Sequence, residues 1–350
     1  MSITLLEECL GDCKYGMCEP VGLGDMSLQN KLSPIFITGC PRSGTTMLAS
    51  QLANAETAIA LPEMQYIYPL LHHVSDGGER DAQAYHTLLA DFRFQVSDIR
   101  ISENELVTAL AKDGGTGAVA KLIEAYAERH GIVLDTQRDI HWIEHAPDSR
   151  NKISIIRQAY PQARFVHIVR DPRSTYLSML KLKRWNIWDP FKFARIWSDA
   201  VGRCYRLSAT CPELVIEVRY EDILADPETE IAKLCDFLGL NFQSEMLNGG
   251  AVRLPGFTQG QHALTRSGVQ KDKIDGWKKH IDARDADIIE AELCDWMIHY
   301  NYIDNVRELQ SATGREKLKF AVRGALKTPG AKWRDARVHA HAAKAFAKTI

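Results

Sequence analysis

A three-layer α/β/α fold built on a central parallel sheet is predicted by three features of this 350-residue sequence. Short β-branched apolar runs alternate with helical patterns, the signature of successive βαβ units. The first run passes through a glycine-bounded turn straight into a helical pattern. The composition, 45% hydrophobic and 25% charged, is that of an ordinary globular chain long enough to bury a large core.

Residues 1–32 read as an N-terminal extension. Their opening, MSITLLEECLGDCKYGMCEP, has acidic residues and no basic stretch ahead of an apolar run, so no secretory leader is expected. Cys9, Cys13 and Cys18 form no CxxC pair and have no nearby histidine, so no metal site is expected there. Reduced thiols in a cytoplasm suit the eight scattered cysteines. Residues 33–304 read as one domain. Its first strand is residues 34–38 (PIFIT), followed by GCPRSG and the helical pattern TTMLASQLANA. A mostly helical insert is expected from about residue 63 to 160, with a loop at residues 113–117 (DGGTG).

A second unit begins with the strand 164–169 (RFVHIV), after which Asp171-Pro172 opens a helix to about residue 183; proline suits a first turn because its missing N–H would be unpaired there. The third strand is residues 214–220 (LVIEVRY). In the following ADPETEIAKLCDFLGL, Asp226 is the expected N-cap and Pro227 the first helical residue. Ile231, Leu234, Cys235 and Leu238 line one face, and Gly239 ends the helix. Residues 247–275 lack periodicity and read as a long functional loop or lid. Residues 285–300 form an amphipathic pattern that points Ile288, Ile289, Leu293, Trp296 and Met297 at a core.

The remainder, 305–350, reads as a basic helical tail. From residue 315 onward there are ten Lys or Arg against two Asp or Glu, a local balance of +8, whereas the whole chain carries −2. The near-neutral total excludes a polycation and argues against a nucleic-acid partner. Leu318, Val322 and Leu326 recur at four-residue steps in the tail, with Trp333 and Phe346 beyond. Such a helix either lies on an anionic membrane surface as a peripheral contact or packs on its own domain. No run of 18 apolar residues occurs, so no spanning helix is expected.

The chemistry concentrates in Gly39-Cys40-Pro41-Arg42-Ser43-Gly44-Thr45-Thr46. Its G-x4-G spacing between strand and helix is that of a phosphate-binding loop, so the fold is expected to be a P-loop-type α/β/α. Loop and helix N–H groups converge on an anion in such a loop. The lysine that normally follows the second glycine is replaced by Thr45, and the cation sits inside the loop as Arg42. A triphosphatase needs that lysine, a Mg²⁺ ion and a strand-ending Asp to hold the metal. Only Asp171 could be forced into the last role. One cation with backbone donors fits a less charged group, bound without metal.

PRSGTT after an apolar strand resembles the donor loop of the sulfotransferases that use 3′-phosphoadenosine 5′-phosphosulfate (PAPS), above all the bacterial, tyrosylprotein and carbohydrate branches. The resemblance covers about residues 34–302. It includes Arg170 at a strand end with Ser178 eight residues later, RYEDILADPETE at 219–230 and GWKKH at 276–280. It implies PAPS as co-substrate, adenosine 3′,5′-bisphosphate as product and no metal. Pro41, Arg42, Ser43, Gly44, Thr45 and Thr46 would cradle the 5′-phosphosulfate, Arg42 also acting catalytically on the charge of the bridging oxygen. Arg170 and Ser178 would hold the 3′-phosphate, and Tyr220 would lie near the adenine. Arg266-Ser267-Gly268 resembles an Arg-x-Gly element over the 3′-phosphate, with Ser267 where the family has Lys.

Two residues could take the proton of an acceptor hydroxyl. Glu63 lies seventeen residues after Thr46, where the tyrosylprotein and carbohydrate branches carry a catalytic glutamate. His145, in IEHAPDS, resembles the histidine of the cytosolic branch. Imidazole is an apt base, whereas a glutamate needs a raised pKa or concerted transfer; the loop text weighs toward Glu63. Tyr66, Tyr68, His72, His73, Trp185 and Trp188 flank the expected site and either suit sugars or aryl groups or simply pack the helical insert; a carbohydrate or glycolipid acceptor is what the branch resemblance implies. Lys181, Lys183 and Arg184 either meet an anionic group or form a solvated helix end. The alternatives are an ATP-dependent phosphotransferase and a non-catalytic, membrane-associated anion binder.

Overall fold

The computed structural model describes residues 28–135, 137–182, 189–253, 274–304 and 311–346. Strand β1 (Leu32–Gly39) is buried along nearly all its length, because it occupies the middle of a five-stranded sheet whose pairings are all parallel. A strand covered on both faces must be apolar throughout. Its side chains part with period two, Leu32 and Phe36 into one core cluster, Ile35 and Ile37 into another.

Helix α1 (Thr45–Leu52) leads to β2 (Ala58–Ala60). The insert supplies α2 (Ile67–Leu71), α3 (Glu79–Ala90), α4 (Phe92–Gln95), α5 (Glu103–Arg129), strand β3 (Ile140–Glu144) and α6 (Ile153–Ala159). Two corrections arise here. Strands β2 and β3 lie in and beside a stretch read as mostly helical; β3, sequence IHWIE, carries polar residues among its apolar ones, which blurs a two-residue period. Trp142 nevertheless packs edge-on to Phe36, with centroids 5.4 Å apart. The loop at 113–117 is instead a break within α5, where Gly114 adopts φ 66°, a left-handed conformation that glycine takes without strain.

Strand β4 (Arg164–Val169) has the bounds read from the sequence. It is followed by α7 (Pro172–Leu182), α8 (Pro190–Thr210), β5 (Val215–Arg219), α9 (Tyr220–Ala225) and α10 (Pro227–Leu238). Tyr220 opens α9 rather than ending the strand. Asp226 caps α10, accepting from the Thr229 amide at 3.3 Å, and Gly239 closes it. The pattern at 285–300 forms two helices, α11 (Ala283–Glu292) and α12 (Cys294–His299), parted at Leu293. Ile288, Ile289, Leu293 and Met297 are all buried.

The strand order is β2-β3-β1-β4-β5. The chain therefore leaves β1 toward one edge and later crosses to the other side of it. In open parallel sheets the crevice at the carboxyl end of such a strand is where ligands bind. Helix α13 (Gly314–Phe346) completes the described chain. It touches the fold through Glu316, paired with Arg284, and through Phe346, which is buried near Phe94. Leu318, Val322 and Leu326 face solvent. No described helix is long and apolar enough to cross a membrane.

Candidate active site

The loop after β1 takes its shape from two left-handed residues, Arg42 at φ 72° and Gly44 at φ 110°. The Ser43 amide donates to the Cys40 carbonyl at 3.1 Å, which closes the turn. Pro41 and Ser43 are buried. A Cβ at Gly44 would stand 2.6 Å from Cδ2 of Tyr220, so glycine is required both by φ and by the tyrosine packed against it. Gly44 precedes α1 without a side-chain cap, which leaves the first amides of that helix open to a ligand.

Two cations meet at this loop. Arg42 donates from Nε to the Ser178 hydroxyl at 3.3 Å, and Arg170 donates from Nη1 to the Arg42 carbonyl at 3.0 Å. The Arg170 guanidinium lies 4.3 Å from the centroid of the Tyr220 ring. Tyr220 is only 2% exposed, so its ring supports Arg170 and Gly44 from behind. Burial, reinforced by the Arg170 charge, pulls the Arg42 guanidinium below its ordinary value. Two like charges are held together where an anion would relieve both. The Ser43 hydroxyl and the Arg170 Nε are buried with no protein partner. A donor-rich cradle of this kind fits a phosphate or phosphosulfate group.

Ser178 reaches the loop because α7 is fixed at its start. Arg173 pairs with Asp171 at 2.7 Å and with Glu290 at 2.6 Å, and it stacks 3.9 Å from the Trp277 ring of the GWKKH segment. Asp171, the residue a metal-using phosphotransferase would need, has both carboxylate oxygens on Arg173.

Both proton-acceptor candidates come to the same crevice. Glu63 follows β2 and pairs with Arg93 of α4 at 2.5 Å. His145 follows β3, and its Nδ1 is 3.5 Å from the Thr46 hydroxyl. Burial pulls the His145 imidazole below its ordinary pKa, so it is neutral at pH 7. Glu144 was not singled out by the sequence, yet it is fully buried at the end of β3. Its Oε1 accepts from the Met64 amide at 3.3 Å, while Oε2 has no partner. Burial, then the nearby Glu63 charge, pushes its carboxyl up to about 8. The available signal was the Glu-His pair ending a short apolar alternation.

Tyr66 and Tyr68 are buried and belong to the core. His72 and His73 line a groove of about 470 Å³ together with Tyr66, Leu70, Arg80 and Asp91. Lys181 is exposed at the end of α7. Arg266 and Gly268, as well as Lys183, Arg184, Trp185, Trp188 and the three N-terminal cysteines, lie outside the described residues. No group of three potential metal ligands occurs among the described residues.

A model described as the sulfotransferase family matches residues 34–244. A putative protein-tyrosine sulfotransferase of Caenorhabditis briggsae is 26% identical over 63% of this chain and 70% of its own length. An omega-hydroxy-beta-dihydromenaquinone-9 sulfotransferase of Mycobacterium bovis is 33% identical over 27% of each chain. Among solved structures, the sulfotransferase domain of the Synechococcus olefin synthase superposes with a TM-score of 0.52 at 20% identity, over 78% of this chain and 95% of that one. That likeness concerns the fold.

Proposed function

The chain belongs to the sulfotransferase family, and on that premise we propose that it moves the sulfuryl group of PAPS to an acceptor hydroxyl by in-line transfer, releasing adenosine 3′,5′-bisphosphate. The observation that carries this reading is one crevice holding Arg42, Arg170, the unpartnered Ser43 hydroxyl and the Glu63 carboxylate. When bound, PAPS supplies a sulfuryl group activated by its anhydride bond to phosphate. Ser43, Thr45, Thr46 and the loop amides would hold its 5′ end, and Arg170 with Ser178 its 3′-phosphate. Arg266 and Gly268 are assigned to the same phosphate by family resemblance.

Arg42 neutralises the charge that develops on the departing oxygen. A charge-assisted bond made only in the transition state is worth roughly 1.5–3 kcal/mol, or one to two decades in rate. Glu63 accepts the proton of the hydroxyl, held in orientation by Arg93; neutral His145, beside Thr46, is the other candidate. The catalytic unit is assigned to residues 33–304, and the acceptor is assigned to carbohydrates or glycolipids, on the branch resemblance and the groove beyond Glu63. A cytoplasmic location accompanies this reading, supported by five described cysteines that are free thiols.

Calorimetry with adenosine 3′,5′-bisphosphate, with and without Mg²⁺, tests the assignment. Tight binding that ignores the metal is expected. Binding of ATP that depends on Mg²⁺, without binding of the bisphosphate, would replace sulfuryl transfer by the phosphotransferase alternative.

A further inference from the structure

Helix α13 is fastened near both ends. At its start, Glu316 pairs with Arg284 at 2.9 Å, and Lys317 Nζ lies 4.0 Å from the centroid of the Phe191 ring. At its end, His339 stacks on Phe92 at 4.1 Å and Phe346 is buried. At about 100° per residue, Glu316, Lys317, His339 and Phe346 fall within a sector of about 140°, the side held against the fold.

Leu318, Val322, Leu326 and Trp333 fall in a different sector, about 80° wide. They are 67%, 53%, 78% and 60% exposed, and make up four of the seven large apolar side chains exposed among the described residues. Arg315, Lys319, Arg337 and Lys344 project from the same side and are exposed. The Arg337 guanidinium sits 4.7 Å from the Trp333 ring centroid. One face of the helix is thus both apolar and cationic, and it points away from the protein.

We infer that this outward face of α13 docks on an anionic lipid bilayer. The apolar side chains enter the boundary between headgroups and acyl chains, Trp333 lies at the headgroup level, and the lysines and arginines meet lipid phosphates and carboxylates. A second copy of the chain is a poorer occupant, because a two-fold contact through this face would set its cations against themselves. The C-terminal anchor rests on Phe92, the residue beside Arg93, which holds Glu63. The docking does not depend on the sulfuryl-transfer reading.

The test is flotation of the full-length protein with vesicles of phosphatidylcholine alone or mixed with phosphatidylserine. The wild type should float with the mixed vesicles, not with the neutral ones, and high salt should release it. Leu326→Glu with Trp333→Glu should abolish flotation, and Lys319→Glu or Arg337→Glu should each weaken it about fivefold or more. Bisphosphate affinity should be unchanged in all variants. Absence of wild-type flotation, or equal flotation of wild type and variants, overturns the inference. So does a dimer in light scattering that Leu326→Glu dissociates, which would make the stripe a contact between copies. If no protein binds the bisphosphate while flotation still follows the stripe, the catalytic reading fails and the docking stands.

Discussion

Glu63 and His145 are the two candidates for the proposed general base, and their surroundings separate them. The Glu63 carboxylate is paired with Arg93 and partly exposed, whereas His145 is buried beside Thr46. Glu63→Gln should cost about two to four decades in turnover, with bisphosphate affinity changed little. His145→Ala should act mainly on donor affinity if the imidazole only supports Thr46. A several-decade loss of turnover on the histidine alone would move the base to His145. Glu144 gives a separate prediction. Its folded pKa of about 8 lies above the ordinary carboxyl value, so the folded state holds a proton that the unfolded chain loses. Stability should therefore fall as pH rises from about 4.5 to 8 and level off above that. Glu144→Gln should stabilise the protein by a few kcal/mol at pH 8, in order of magnitude, and by little at pH 5. Denaturant unfolding at the two values measures the difference.

At the scale of elements, α7 is positioned by a single side chain. Arg173 holds Asp171, Glu290 and the Trp277 ring together. Replacing it with methionine would leave two buried carboxylates without their counter-charge. A loss of about 3–5 kcal/mol in unfolding free energy is expected, with weaker bisphosphate binding as Ser178 loses its setting. Unchanged stability would mean that the network is not what fixes the helix. Elements with local signals were legible in advance: β4, with its uninterrupted RFVHIV, and α10, with Asp226, Pro227 and Gly239 at its ends. Strands β2 and β3 were not, since three residues of AIA and a polar-interrupted IHWIE acquire their structure from the neighbours they pair with. The break at Gly114 was read as a loop because glycines mark departures from helix without saying how long they last.

At the scale of the whole molecule, the loop and its two arginines could be read because the anion-binding motif is contiguous and the Arg170 to Ser178 spacing is short. The partners that tune the site could not. Arg93 on Glu63, Tyr220 behind Gly44 and Trp277 on Arg173 come from segments apart in the sequence and meet only in the folded chain. The charge is divided along the chain. The first 314 residues carry about −10 by formal count, the tail +8, and the proposed donor cradle would depend on a few placed cations rather than on the overall field.

The central position of β1 also bears on how the chain is made. Its two neighbours are β3 and β4, and the nearer register pair joins Leu32 to Ile140, more than a hundred residues later. At a synthesis rate of about 5–20 residues per second, this apolar strand waits roughly 5–20 s with both edges bare. During that interval it is a template for aggregation, and the nascent chain would be a natural client for a chaperone that shields hydrophobic segments. The strand that leads into the loop is thus made well before the two strands that cover its edges.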